Sequence, residues 1–205
     1  MTKRGRFIVL EGWEASGKST QAKLLAEALG ALQTFEPGAS RIGKEIREVL
    51  LHTGHDLTDR AEALLFAADR AQHVAEIIEP ALVRGQDVVC DRYFYSSVAY
   101  QGAGRELGVD KILELSAFAT AGLTPDLVIL LTLPDDVADS RLGSERDLIE
   151  SGDQSFHARV RACFAQMAAD DPTRWVTLDA SGDPAEVFSR LSGVVSAKFD
   201  VTSHN

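Results

Sequence analysis

Residues 12–19 read Gly-Trp-Glu-Ala-Ser-Gly-Lys-Ser and satisfy G-x-x-x-x-G-K-[ST] at every fixed position. No other feature of the chain restricts its fold as much. Such a loop works only when it leaves a strand and opens a helix. Its glycines then let successive backbone N–H groups turn inward on a phosphate, and the helix adds its positive end. The flanking pattern fits, with the apolar run Phe7–Leu10 before the loop and helical periodicity over Gln21–Leu29 after it. Gly12, Trp13, Glu14, Ala15, Ser16, Gly17, Lys18, Ser19 and Thr20 are therefore the candidate donor-phosphate site. Lys18 is expected on the β and γ phosphates and Ser19 on Mg²⁺. The loop alone does not separate kinases from switch GTPases or motor-type ATPases, although no Asn-Lys-x-Asp segment for guanine is present.

Further apolar runs with strand character lie at Val88–Cys90, Leu127–Leu133 and Trp175–Leu178, with Gln33–Phe35 as a short additional strand. Helical segments such as Ala61–Val83 and Ser155–Ala169 separate them. Short, almost wholly apolar strands alternating with helices indicate a parallel sheet covered on both faces. Asp59 followed by Glu62 marks a capped start for the long middle helix, and Pro80 is expected to kink or end it. Gly143–Gly152 is polar and bounded by glycine, as a mobile loop would be. At 205 residues, without an internal repeat or low-complexity linker, the chain is read as one α/β domain spanning 1–205, with a C-terminal tail at about 200–205 expected to be disordered.

The formal charge of −10 argues against nucleic acid or an anionic membrane as the main partner, so a phosphate ligand must be met by a local positive site. Lys3, Arg4 and Arg6 precede only four apolar residues, too few for a signal-peptide core, and no stretch approaches a membrane span. Two cysteines, Cys90 and Cys163, point to a reducing compartment with both thiols buried, and the reading is cytoplasmic. His52, His55, His73, His157 and His204 have no metal-ligand spacing. Trp13 and Trp175 read as packing residues.

The acceptor side is read from Asp87–Asp91, a buried strand ending in a carboxylate. Ligands of doubly wound sheets bind at the carboxyl ends of the strands, so Asp91 is expected beside the phosphate loop, ordering Mg²⁺ and its waters. Arg92 follows, a permanent fork-shaped cation suited to a second phosphate; a structural ion pair is the alternative. The run Asp91-Arg92-Tyr93-Phe94-Tyr95-Ser96-Ser97-Val98-Ala99-Tyr100-Gln101-Gly102 resembles the Asp-Arg-Tyr…Ser…Ala-Tyr-Gln-Gly signature of thymidylate kinases. Leu65–Arg70 resembles that family's nucleobase segment, and Leu10–Glu14 its entry to the phosphate loop. Glu36-Pro37-Gly38 with Arg41-Ile42-Gly43 and Ile46-Arg47 resembles the stretch after its second strand. Asp147-x-Ile149-Glu150, then Phe156, Arg159 and Arg161, resemble its lid and the helix that follows. The resemblance runs in consistent order over roughly residues 7–180.

It implies a P-loop NTPase nucleotide-kinase fold: a central five-stranded parallel sheet flanked by helices, with a small lid at about 141–152, usually as a homodimer. It implies transfer of the γ-phosphoryl of ATP to thymidine monophosphate, with Mg²⁺. By position, Phe66 is expected to stack on thymine and Arg70 to hydrogen-bond a base carbonyl. Ser97 and Gln101 are expected by the base, Tyr100 beside the sugar, and Arg92 on the acceptor phosphate. Glu14 takes the place of the family's acidic residue near the phosphates. Phe66 and Arg70 are four apart and share one helix face, although without the family they would read as core and solvated cation. A phosphate monoester has its second pKa at about 6, so the acceptor is already anionic and needs no general base; Asp91 is not read as one. Two positions depart from the family: Phe35 replaces a common arginine, and Leu148 stands where the lid has one. Because Ala15 brings no charge into the loop, the lid is expected to supply it, from Arg146 or, in competition, Arg141. A deoxynucleoside kinase or a P-loop switch would share the loop.

Overall fold

Short apolar runs that bury both faces have one stable arrangement, a sheet sandwiched between helical layers, and the chain adopts it. A computed structural model describes residues 3–13, 15–51, 57–134 and 153–199. Strands β1 (Phe7–Glu11), β2 (Leu32–Phe35), β3 (Val88–Asp91), β4 (Leu127–Thr132) and β5 (Trp175–Asp179) form one sheet in the order β2-β3-β1-β4-β5. Every pairing is parallel. β1 and β3 are buried at each position. All carboxyl ends therefore lie along one edge. The register sets Leu10 opposite Asp91, so the chain leaves β1 into Gly12 and β3 into Arg92 at adjacent points of that edge.

Alternation along the strands divides the core into two layers. Ile8, Leu10, Val89, Leu127, Ile129 and Leu131 pack with α1 (Lys18–Leu29) and α8 (Pro184–Phe199). Phe7, Val9, Val88, Cys90, Val128 and Leu130 point the other way. They meet Val74 and Ile78 of the long middle helical segment, Phe94–Tyr100, and Val160 and Phe164 of α7 (Gln154–Asp170). Helix α2 (Arg41–Leu51) lies on α3 (Asp59–His73), and α6 (Val109–Ala119) packs against the segment 98–104.

Several expectations are corrected in detail. The middle helix neither ends nor breaks at Pro80. It passes from α3 through a π-helical stretch at Val74–Ile78 into α4 (Glu79–Val83), which holds Pro80 in its first turn. The wider turn bonds the Glu79 N–H to the Val74 carbonyl, and Pro80, with no N–H to place, follows without losing a bond. The cap of α3 is Thr58, whose side chain accepts from the Ala61 N–H at 3.4 Å, one residue before the expected Asp59. α1 begins at Lys18, directly after the loop. Cys90 is buried, but Cys163 is only half-buried. Among the described residues no helix is long and apolar enough to cross a membrane. The expected lid at 141–152 and tail at 200–205 lie outside the described residues.

Candidate active site

Gly12 has φ +144°, and a Cβ there would stand 2.4 Å from the Leu131 carbonyl oxygen, so only glycine lets the chain curl out of β1. Gly17, with φ +81°, caps α1 without a side chain, which leaves the helix's first N–H groups directed at the loop. The loop is closed by its own polar atoms. Ser16 Oγ donates to the Trp13 carbonyl at 2.9 Å, and Lys18 Nζ donates to the same carbonyl at 2.7 Å. Lys18 is buried; Ser19 and Thr20 are exposed at the start of α1. The Ser19 hydroxyl donates to Asp91 Oδ2. Among the described residues, the other carboxylate oxygen, Asp91 Oδ1, is buried with no hydrogen-bond partner. Glu14, Arg141 and Arg146 lie outside the described residues.

A cavity of about 420 Å³ opens along the carboxyl ends of β1, β2 and β3. Ala15, Lys18 and Ser19 of the loop line it together with Asp91, Arg92, Phe66, Arg70, Ser97, Tyr100 and Gln101. Gly12, Trp13, Ser16, Gly17 and Thr20 belong to the loop but not to the cavity wall, and Trp13 packs against the core. The wall carries the cations Lys18, Arg47, Arg70 and Arg92 against the carboxylates Glu36 and Asp91. This is a positive site in a chain of net charge −10. Arg92 takes the left-handed conformation (φ +67°). Its Nη1 donates to the Gly12 carbonyl at 3.1 Å and to Ser96 Oγ at 3.0 Å, and its guanidinium lies 5.5 Å from the centre of the Tyr100 ring.

Arg70, Ser97, Gln101 and Phe66, expected beside a base, are held by partners that sequence reasoning did not place. Arg70 donates through Nε to Glu36 Oε2 at 2.7 Å and through Nη2 to Ser97 Oγ at 3.1 Å. Glu36 also meets His73 Nδ1 at 3.0 Å, and His73 Nε2 lies 2.6 Å from Thr34 Oγ1. All of these side chains are buried. Asp69 sits beside this group and accepts from the Gly38 N–H at 3.0 Å; burial and the Glu36 charge raise its pKa to about 6. Gln101 lines the cavity, and its amide nitrogen donates to Glu62 Oε1 at 2.8 Å. Phe66 is half-buried against the core while facing the cavity. Glu36 was visible only as part of a motif. Its separation of 34 residues from Arg70 leaves no periodic trace. At the departing position, Phe35 lies under the Arg47 guanidinium at 5.9 Å from its ring centre, so α2 brings a cation to the place where an arginine is expected.

The thymidylate kinase family model matches residues 10–191, which takes in the loop, the cavity wall and both helical layers. The chain belongs to the thymidylate kinase family. Among curated thymidylate kinases, that of Leifsonia xyli is 50% identical over 203 residues, covering 93% of this chain and 96% of the relative. One from a Synechococcus strain is 46% identical over 202 residues, covering 96% and 97%. Among solved structures, the thymidylate kinase of Ehrlichia chaffeensis superposes with a TM-score of 0.79 at 28% identity, covering 94% of this chain and 99% of that one. Identity at this level over nearly the whole length places the α/β sheet and the P-loop in the family's kinase fold.

Proposed function

We propose that the chain transfers the γ-phosphoryl of ATP to thymidine monophosphate, giving thymidine diphosphate and ADP, with 1–205 acting as one domain in the cytoplasm. The observation that carries this reading is one cavity lined both by residues of the phosphate loop and by aromatic and arginine side chains. The loop N–H groups and Lys18 hold the donor phosphates, and Lys18 neutralises charge spreading onto the transferring oxygens. Arg92 holds the acceptor phosphate, whose oxygens are already nucleophilic at neutral pH, so in-line positioning does most of the catalysis. Phe66 stacks on the base, Arg70, Ser97 and Gln101 address its polar edge, and Tyr100 crowds the 2′ position of the sugar. Ser19 and Asp91 suit Mg²⁺: both offer hard oxygen donors, and the unpartnered, buried Asp91 Oδ1 is an acceptor in need of a cation or its water. When bound, the metal would screen the charge between β and γ phosphates.

Glu14 stands near the donor phosphates, and a lid arginine, Arg146 ahead of Arg141, completes the charge on the transferring group. Comparison of Arg146→Ala and Arg141→Ala at saturating substrates tests this. A loss in kcat of about tenfold or more, about 1.4 kcal/mol, is expected for Arg146 and a smaller one for Arg141. The chain is also proposed to act as a homodimer, since Leu64 of α3 and Val109, Leu113 and Phe118 of α6 are exposed. A hydroxyl acceptor, as in a deoxynucleoside kinase, would need a free carboxylate, and Glu36 is committed to Arg70 and His73. Screening nucleoside monophosphates, and thymidine itself, with ATP and Mg²⁺ decides the matter: turnover is expected with thymidine monophosphate above all. Turnover of thymidine in its place overturns the proposal.

A further inference from the structure

Glu11 ends β1 with its side chain wholly buried, and none of the roles above uses it. Its carboxylate accepts from three donors, all on the turn after β3. Oε1 takes the Tyr93 N–H at 2.9 Å and the Ser96 N–H at 3.2 Å; Oε2 takes the Ser96 hydroxyl at 2.7 Å. Because the hydroxyl's one proton points at Glu11, the lone pairs of Ser96 Oγ are left for Arg92 Nη1, which donates to it at 3.0 Å. The same Nη1 reaches the carbonyl of Gly12, the residue that follows Glu11, at 3.1 Å. Burial raises the Glu11 pKa to about 7 against the opposing charges of Arg92 and Lys18. A left-handed arginine persists only where its surroundings over-determine it, and here each end of the turn is tied to β1.

We infer that Glu11, acting through Ser96, is a positioning residue that locks Arg92 onto the entry of the phosphate loop and so fixes the separation of acceptor and donor phosphates. The inference rests on the reading that Arg92 holds the acceptor phosphate. It treats β1, the loop entry and the Arg92–Ser96 turn as one rigid piece spanning both substrates.

Steady-state kinetics of Glu11→Gln, Ser96→Ala, Arg92→Ala and the doubles with Arg92→Ala test it, alongside thermal unfolding. Glu11→Gln keeps the shape but loses the charge and puts a donor against donors; Ser96→Ala removes only the relay and keeps the protein testable if Glu11→Gln does not fold. Both are expected to lower kcat/KM for thymidine monophosphate by about tenfold or more, with KM for ATP changed less than about twofold. In the Arg92→Ala background the extra loss is expected to vanish, because there is no guanidinium left to position. A merely structural Glu11 would lower Tm while leaving kcat/KM intact, or add its loss in full on top of Arg92→Ala, and either result overturns the inference. If Arg92→Ala itself leaves the monophosphate kinetics unchanged, the reading of Arg92 fails first and the inference falls with it.

Discussion

Arg70 is 2% exposed, and among the described residues its guanidinium and the His73 ring are what bond to the buried Glu36 carboxylate. Truncation therefore acts twice. Arg70→Ala is expected to raise KM for thymidine monophosphate more than KM for ATP, because a base carbonyl in a dry site loses a partner at a cost of roughly 1–3 kcal/mol. It is also expected to lower stability by up to about 3 kcal/mol, since the buried Glu36 carboxylate loses its arginine and keeps only His73. Denaturant unfolding beside the kinetics checks both; unchanged stability would mean that Glu36 finds another partner. The sequence displays Arg70 in its motif but not this second duty, because Glu36, His73 and Thr34 come from three separate segments. Asp91, Arg92 and the loop were legible for the opposite reason. Each lies at or just past the carboxyl end of a largely apolar strand, and the parallel register brings such ends together.

The elements divide along similar lines. Strands buried on both faces read directly as apolar runs, and all five occur within a residue or two of the expected limits. The π-helical stretches at Val74–Ile78 and Val98–Gly104 left no signal, since a widened turn depends on packing rather than composition. The second of these carries Tyr100 and Gln101, and α7 clasps its far end. Arg159 donates to the carbonyls of Ala103 at 3.2 Å and Gly104 at 2.8 Å, while Phe156 lies edge-on to Tyr100 with ring centres 6.1 Å apart. A Cβ on Gly104 would stand 2.5 Å from Phe156 Cε2. Gly104→Ala is thus expected to push α7 away from the segment, destabilising the fold by about 1–3 kcal/mol. It should also raise KM for the monophosphate through Tyr100. Wild-type kinetics with wild-type Tm in this variant would show that the clasp is slack.

At the scale of the whole molecule, stability should depend on pH through two buried carboxyls, Glu11, which burial raises to about 7, and Asp69. The folded pKa of Asp69, about 6, lies above its ordinary value of 3.8, so the folded chain keeps a proton that the unfolded chain releases. The contribution is complete below about pH 3.8 and is lost as pH rises through about 6, on the order of 3 kcal/mol in all. Unfolding free energies at pH 5 and pH 7.5 check this. Asp69→Asn is expected to narrow the difference between them, and an undiminished slope would assign it to other groups.

The central strand of the sheet has a further consequence, for the order in which the protein can be made. Phe7 of β1 pairs with Val88 and Ile8 with Leu127, so the first strand to be synthesised acquires both neighbours only after more than half the chain has followed. Until then the edge of β1 that takes β4 has nothing to pair with, although α1 and β3 can already cover part of the rest. Contacts so distant along the chain are slow to close and open to mispairing. A nascent chain of this protein is expected to be most vulnerable to aggregation before β4 emerges, and helper proteins that shield strand edges would matter most in that interval.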